Sequence, residues 1–105
     1  MQYPMRIKVI EDSSGFQVMC EILHPMENGR RRHPGSDKII PQNYITQVVF
    51  RLNEVIQAEI LLGQYVSANP VIGTHFSKLT RGDTIAISWQ DIAGNGGSAS
   101  QIFDQ

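Results

Sequence analysis

Apolar side chains recur at every second position in short runs, and each run is cut off by residues that turn the chain. A period of two is the repeat of an extended strand with one face turned inward, so the pattern restricts the fold to β-sheet. The clearest run places Phe16, Val18, Cys20 and Ile22 on one face and Gln17, Met19, Glu21 and Leu23 on the other. Before it, Arg6 to Ile10 sets Ile7 and Val9 against Arg6 and Lys8, and Asp12-Ser13-Ser14-Gly15 turns the chain between the two.

Alternation resumes downstream in Tyr44, Thr46, Val48, Phe50 and Leu52, then in Ile56, Ala58, Ile60 and Leu62. The short break at Asn53-Glu54 between these runs predicts a hairpin. Val55, Ile56, Glu59 and Ile60 also fit one face of a helix, but the run is short and bounded by turns, which favours a strand. Gly63 to Pro70 reads as a crossover, because Asn69-Pro70 removes a ladder donor and biases Asn69 away from helix. Val71 to Ser77 follows as a strand. After the Thr80-Arg81-Gly82-Asp83 turn, Thr84 to Asp91 carries Ile85, Ile87 and Trp89 inward, with Trp89 the natural centre of the core. Gly94-Asn95-Gly96-Gly97 predicts a flexible turn before a last strand, Ser98 to Phe103.

Seven antiparallel strands in 105 residues, with one Trp and a long connection after the second strand, predict an all-β, immunoglobulin-like β-sandwich forming a single domain over residues 1–105. The one cysteine forms no internal disulfide, so packing and hydrogen bonds must hold the fold. Met26 to Lys38 contains Gly29, Pro34, Gly35 and three consecutive arginines, and reads as a long solvated connection.

Several function classes lack support. A formal net charge of −1 removes the counterion-release term on which nucleic-acid binding depends. No apolar run approaches membrane-spanning length. Cys20 with His24 suggests a thiol and its base, yet residues four apart on a strand are about 13 Å apart. Cys20 therefore reads as a buried hydrophobe beside Val18 and Ile22. His24, His33 and His75 show no metal-ligand spacing. His24, preceding Pro25, reads instead as ordering its loop through side-chain hydrogen bonds, and His75 as facing solvent or a partner.

Asp83, Asp91, Glu54 and Glu59 form no tight carboxylate pair, and neither Ser88 nor Ser98 sits in a nucleophile elbow. Arg30-Arg31-Arg32-His33 reads as a solvated surface whose functional role is steering toward a negatively charged partner or ligand. No catalytic, cofactor-binding or metal-binding residue is assigned, and no cofactor is expected.

The segments His24-Pro25-Met26-Glu27-Asn28-Gly29, Ile39-Ile40-Pro41, the strand around Phe50, Ser67-Ala68-Asn69-Pro70 and Trp89-Gln90-Asp91 occur in an order and spacing that resembles the SoxZ family of sulfur-oxidation proteins. The resemblance runs over almost the whole chain. It implies a non-enzymatic, immunoglobulin-like subunit of a SoxYZ sulfur-carrier heterodimer in thiosulfate oxidation. In that pair the SoxY-like partner holds the sulfur intermediate on a cysteine of a mobile Gly-Gly-Cys-Gly-Gly arm, which this sequence does not show at Gln101 to Gln105.

The resemblance further implies transient contact with sulfur-oxidising enzymes and a periplasmic setting. The Met1 to Arg6 stretch has no apolar leader, so the expected route is export with a signal-bearing partner. Apolar residues on both faces of several strands, Met19 and Leu23 opposite Cys20 and Ile45 and Val49 opposite Val48 and Phe50, favour burial of one sheet face or edge strand against the carrier partner, with self-association of the isolated chain left open. The candidate partner-interface residues are His24, Pro25, Met26, Arg30, Asn69 and Pro70. A thiol-dependent carrier or enzyme using Cys20, and a stand-alone ligand-binding or adhesion sandwich, are the alternatives.

Overall fold

Every alternating run becomes a strand. The computed structural model describes residues 3–105, and its strands are β1 (Met5–Asp12), β2 (Gly15–Ile22), β3 (Ile45–Leu52), β4 (Val55–Leu61), β5 (Val71–Phe76), β6 (Thr84–Asp91) and β7 (Gly96–Ile102), with no helix among the described residues. They form two antiparallel sheets, one in the order β1-β2-β5 and the other β4-β3-β6-β7. The chain leaves the first sheet after β2, builds β3 and β4 in the second, and returns for β5. It crosses again to lay β6 beside β3, which gives the immunoglobulin-like β-sandwich expected from the patterning.

The core lies between the inner faces. Val18, Cys20 and Ile22 of β2 meet Val48 and Phe50 of β3 and Ile85, Ile87 and Trp89 of β6, with Phe76 and Phe103 completing the cluster. Each fully buried aliphatic or aromatic side chain contributes about 1.5 to 3 kcal/mol relative to exposure, so packing holds this sandwich without a disulfide. Asn53 and Glu54 both take positive φ, 50° and 71°, the conformation of a two-residue hairpin turn whose twist matches its strands.

Three expectations are corrected by local irregularities. In β3 the ladder to β6 shifts between Ile45 and Gln47, and this carries Ile45 into the core with Val48 while Tyr44 and Thr46 are only half-buried. In β4, Arg51 faces Ile56 while Phe50 faces Ala58, so Gln57 is an extra residue and Ile56 leaves the inward line to stand 49% exposed. Such bulges bend a strand and turn its side chains to the other face. Finally, Gly96 and Gly97 belong to β7 and pair with Gln90 and Trp89, so the turn lies before them. A Cβ at Gly97 would come within 2.8 Å of Trp89 Nε1, so only glycine leaves room for the indole.

The connection after β2 is exposed, as expected, but it is a structured ribbon. Glu27 and Asn43 exchange backbone hydrogen bonds of 2.8 and 2.9 Å, and further out Arg32 bridges Ile39.

Candidate functional site

At the end of β2, Leu23-His24-Pro25 carries the chain out of the sheet. Proline biases the residue before it toward extended backbone, and the turn then closes through Met26, whose φ is 51°. His24 is fully buried, and its ring nitrogens have different partners. Nδ1 accepts the backbone N–H of Met26 at 3.0 Å, so the ring proton belongs on Nε2, which donates to Asp91 Oδ2 at 2.9 Å.

Asp91, the last residue of β6, is itself wrapped by donors. Its Oδ1 accepts from the backbone N–H groups of Ala93 (3.1 Å) and Asn95 (2.8 Å), and Oδ2 accepts from Asn95 Nδ2 at 3.0 Å. Burial alone would raise its pKa. The hydrogen bonds from His24, Asn95 and Asn43 overcome that penalty and hold the carboxyl below the usual range.

Around this pair the rings of Tyr3 and Trp89 lie 4.5 and 5.6 Å from the imidazole, the second edge-on. The His24 carbonyl accepts the Asn69 N–H at 2.8 Å, and the Met26 sulfur accepts the Ile45 N–H at 3.3 Å. The imidazole thus ties the turn after β2 to the end of β6, while the His24 carbonyl reaches the crossover before β5 and the Met26 sulfur the start of β3. Both ring nitrogens are committed to hydrogen bonds within the chain.

The candidate interface residues separate accordingly. His24, Met26 and Pro70 are buried by this chain, which corrects the expectation that their side chains meet a partner: they act through the loops they position. Pro25, Arg30 and Asn69 are exposed. The His24 and Asn69 segments, distant in sequence, are brought into contact, whereas Arg30 stands apart on the ribbon over the Tyr65 ring, 5.6 Å from its centroid.

Cys20 is 1% exposed, and burial pushes its thiol up to about 11. It faces Ile7 and Ile72 in the register, a setting that suppresses thiolate chemistry. Among the described residues no three metal-ligating side chains converge.

Two features escaped sequence reasoning. Asp91 was visible only as an isolated carboxylate, although an Asp followed within four residues by Asn and Gly is the signal of a side-chain-capped turn. The other is a surface cluster of Asp12, Ser14 and His75. Ser14 Oγ lies 3.2 Å from His75 Nε2 and 3.0 Å from Asp12 Oδ1, while Asp12 Oδ1 also lies 3.5 Å from Nε2. A catalytic triad needs the carboxylate on the other ring nitrogen. Here hydroxyl and carboxylate share one nitrogen, and the hydrogen bond from the Ser14 N–H lowers the Asp12 pKa to about 2, so the cluster caps the β1–β2 turn.

Fold and site together define an immunoglobulin-like sandwich protein in which the buried ionisable pair is a structural clamp and the loops around it reach the surface. Within that class the chain belongs to the SoxZ family: the family described as sulphur oxidation protein SoxZ matches residues 6–101, nearly the whole chain and both members of the clamp. Membership implies a role in sulfur oxidation. A search of curated proteins finds no match.

Proposed function

We propose that this protein is the non-catalytic subunit of a SoxYZ-type sulfur-carrier heterodimer. In this reading it stabilises a SoxY-like carrier and presents it to sulfur-oxidising enzymes in the periplasm, where it arrives with a signal-bearing partner. Family membership supplies the pathway, and one structural observation supports the partnership: the edge strand β4 exposes three large apolar side chains, where the edge strands β5 and β7 expose one each.

Edge strands of stable monomers are blunted by charge, proline or cover, because their free backbone groups otherwise recruit another strand. β1 is guarded in this way, with Arg6, Lys8, Glu11 and Asp12 along its length. β4 reads Val-Ile-Gln-Ala-Glu-Ile-Leu with a single charge, and Val55, Ile56 and Leu61 are 61%, 49% and 78% exposed. Such an edge suits burial against another sheet, and in isolation it favours self-association.

Co-expression with a SoxY-like carrier, followed by size-exclusion chromatography, tests the reading. The expected result is one co-eluting species that Leu61→Lys weakens. Separate elution of the two wild-type proteins at micromolar concentration would rule it out. The alternative in which Cys20 carries sulfur is disfavoured by the depth and raised pKa of that thiol.

A further inference from the structure

The ribbon between β2 and β3 is a defined arm. Beyond its Glu27–Asn43 base, the His33 N–H donates to the Lys38 carbonyl at 2.9 Å and the Ile40 N–H to the Arg31 carbonyl at 2.7 Å. The tip closes through the Ser36 N–H on the His33 carbonyl at 3.0 Å, with Gly35 at a φ of 71°. The base adjoins the His24 clamp, so a buried anchor fixes how the arm leaves the sandwich.

Charge on the arm is lopsided. Residues 27–43 hold four cations, Arg30, Arg31, Arg32 and Lys38, against two carboxylates, Glu27 and Asp37; the arm is thus +2, leaving −3 for the rest of a chain whose net charge is −1. Glu27 is taken up by both guanidinium contacts of Arg31, and Asp37 lies 3.6 Å from Arg32. Among the described residues Arg30 and Lys38 pair with no carboxylate. Arg30 instead rests over Tyr65, itself 65% exposed. An aromatic face steadies a guanidinium and leaves its in-plane N–H fork free for carboxylates.

We infer that this arm, centred on the Arg30–Tyr65 stack, is a docking surface for an acidic, extended segment of a partner protein, separate from the β4 edge. Arg30 supplies the planar fork and Tyr65 holds it in place. Lys38, the arm's other cation without a carboxylate partner, extends the positive strip. The net negative charge of the body confines binding to the arm and disfavours a long, uniformly charged polyanion such as nucleic acid.

The probe is hexaglutamate, titrated into the ¹⁵N-labelled full chain. Sodium sulfate and oligothymidylate at matched ionic strength distinguish a small oxyanion and a nucleic acid. Shifts confined to the arm and Tyr65 are expected, with affinity falling at least about tenfold in Arg30→Glu and by an intermediate factor in Arg30→Lys, which keeps the charge but loses the fork. The exposed position of Arg30 leaves the sandwich amides unchanged in both variants. Equal affinity of wild type and Arg30→Glu, shifts scattered over the sheets, or the same arm shifts with sulfate or oligothymidylate would each overturn the inference. Co-elution with a SoxY-like carrier should survive Arg30→Glu, so the two proposals fail independently.

Discussion

Replacing His24 with alanine removes the side chain that joins the turn after β2 to the end of β6. Three losses can be sized. The Met26 N–H loses its acceptor inside the protein, and an orphaned buried donor costs about 1 to 3 kcal/mol. Asp91 loses the His24 donor and keeps those of Ala93 and Asn95, a change worth roughly 1.5 to 3 kcal/mol for a charged acceptor. The ring also leaves its contacts with Tyr3 and Trp89, each about 0.5 to 1.5 kcal/mol.

These costs overlap as the loop relaxes, and a net destabilisation of about 4 kcal/mol is expected, within the range for breaking a buried pair. For a domain near a hundred residues that lowers Tm by roughly 20 °C. Urea unfolding followed by fluorescence of the single Trp, which lies edge-on to the imidazole, measures it directly. The decisive comparison is the cycle of His24→Ala, Asp91→Asn and the double variant, with a coupling of at least about 1.5 kcal/mol expected between residues in one buried network. A cost for His24→Ala below about 1 kcal/mol, or additivity within about 0.5 kcal/mol, would refute the clamp.

Two further outcomes follow from ionisation. Asp91, Asp83, Glu27 and Asp12 are all held below their ordinary pKa values, so the stability they confer is fully present above the unfolded-state values near 4 and is lost as pH falls through the folded-state values. The stability difference between wild type and Asp91→Asn should be constant from pH 7 to about 4 and shrink below it, and a difference that does not change with acidification would contradict the lowered pKa of Asp91. Alkylation of Cys20 by iodoacetamide at pH 8 should run at least about 100-fold slower in the native protein than in denaturant, and equal rates would place the thiol at the surface.

Much of the fold was legible because strand patterning is local. Val18, Cys20 and Ile22, Phe50, and Ile85, Ile87 and Trp89 all occupy the interior that their spacing assigns them. The hairpin at Asn53-Glu54 was equally readable. Ile45 and Ile56 depart from the alternation for one physical reason: a single extra residue in a ladder exchanges the two faces of a strand, and the alternation of side chains does not mark where it is inserted. Gly96 and Gly97 looked like a turn because glycine marks turns, but here the missing side chain makes room for Trp89.

The candidate site divides along the same line. Pro25 and Asn69-Pro70 were recognisable as chain-directing residues, and His24 as a loop-ordering one, from their own chemistry. Their convergence with Asp91, 67 residues beyond His24, arises only when β2 and β6 pack across the core and bring their ends together. Alternation along the sequence determined that this chain forms two facing sheets, because each inward side chain gains from leaving water regardless of its eventual neighbour. Which side chains meet at the sheet ends was decided by the tertiary structure alone, since hydrogen bonds require particular atoms within about 3 Å and no local pattern specifies that distance.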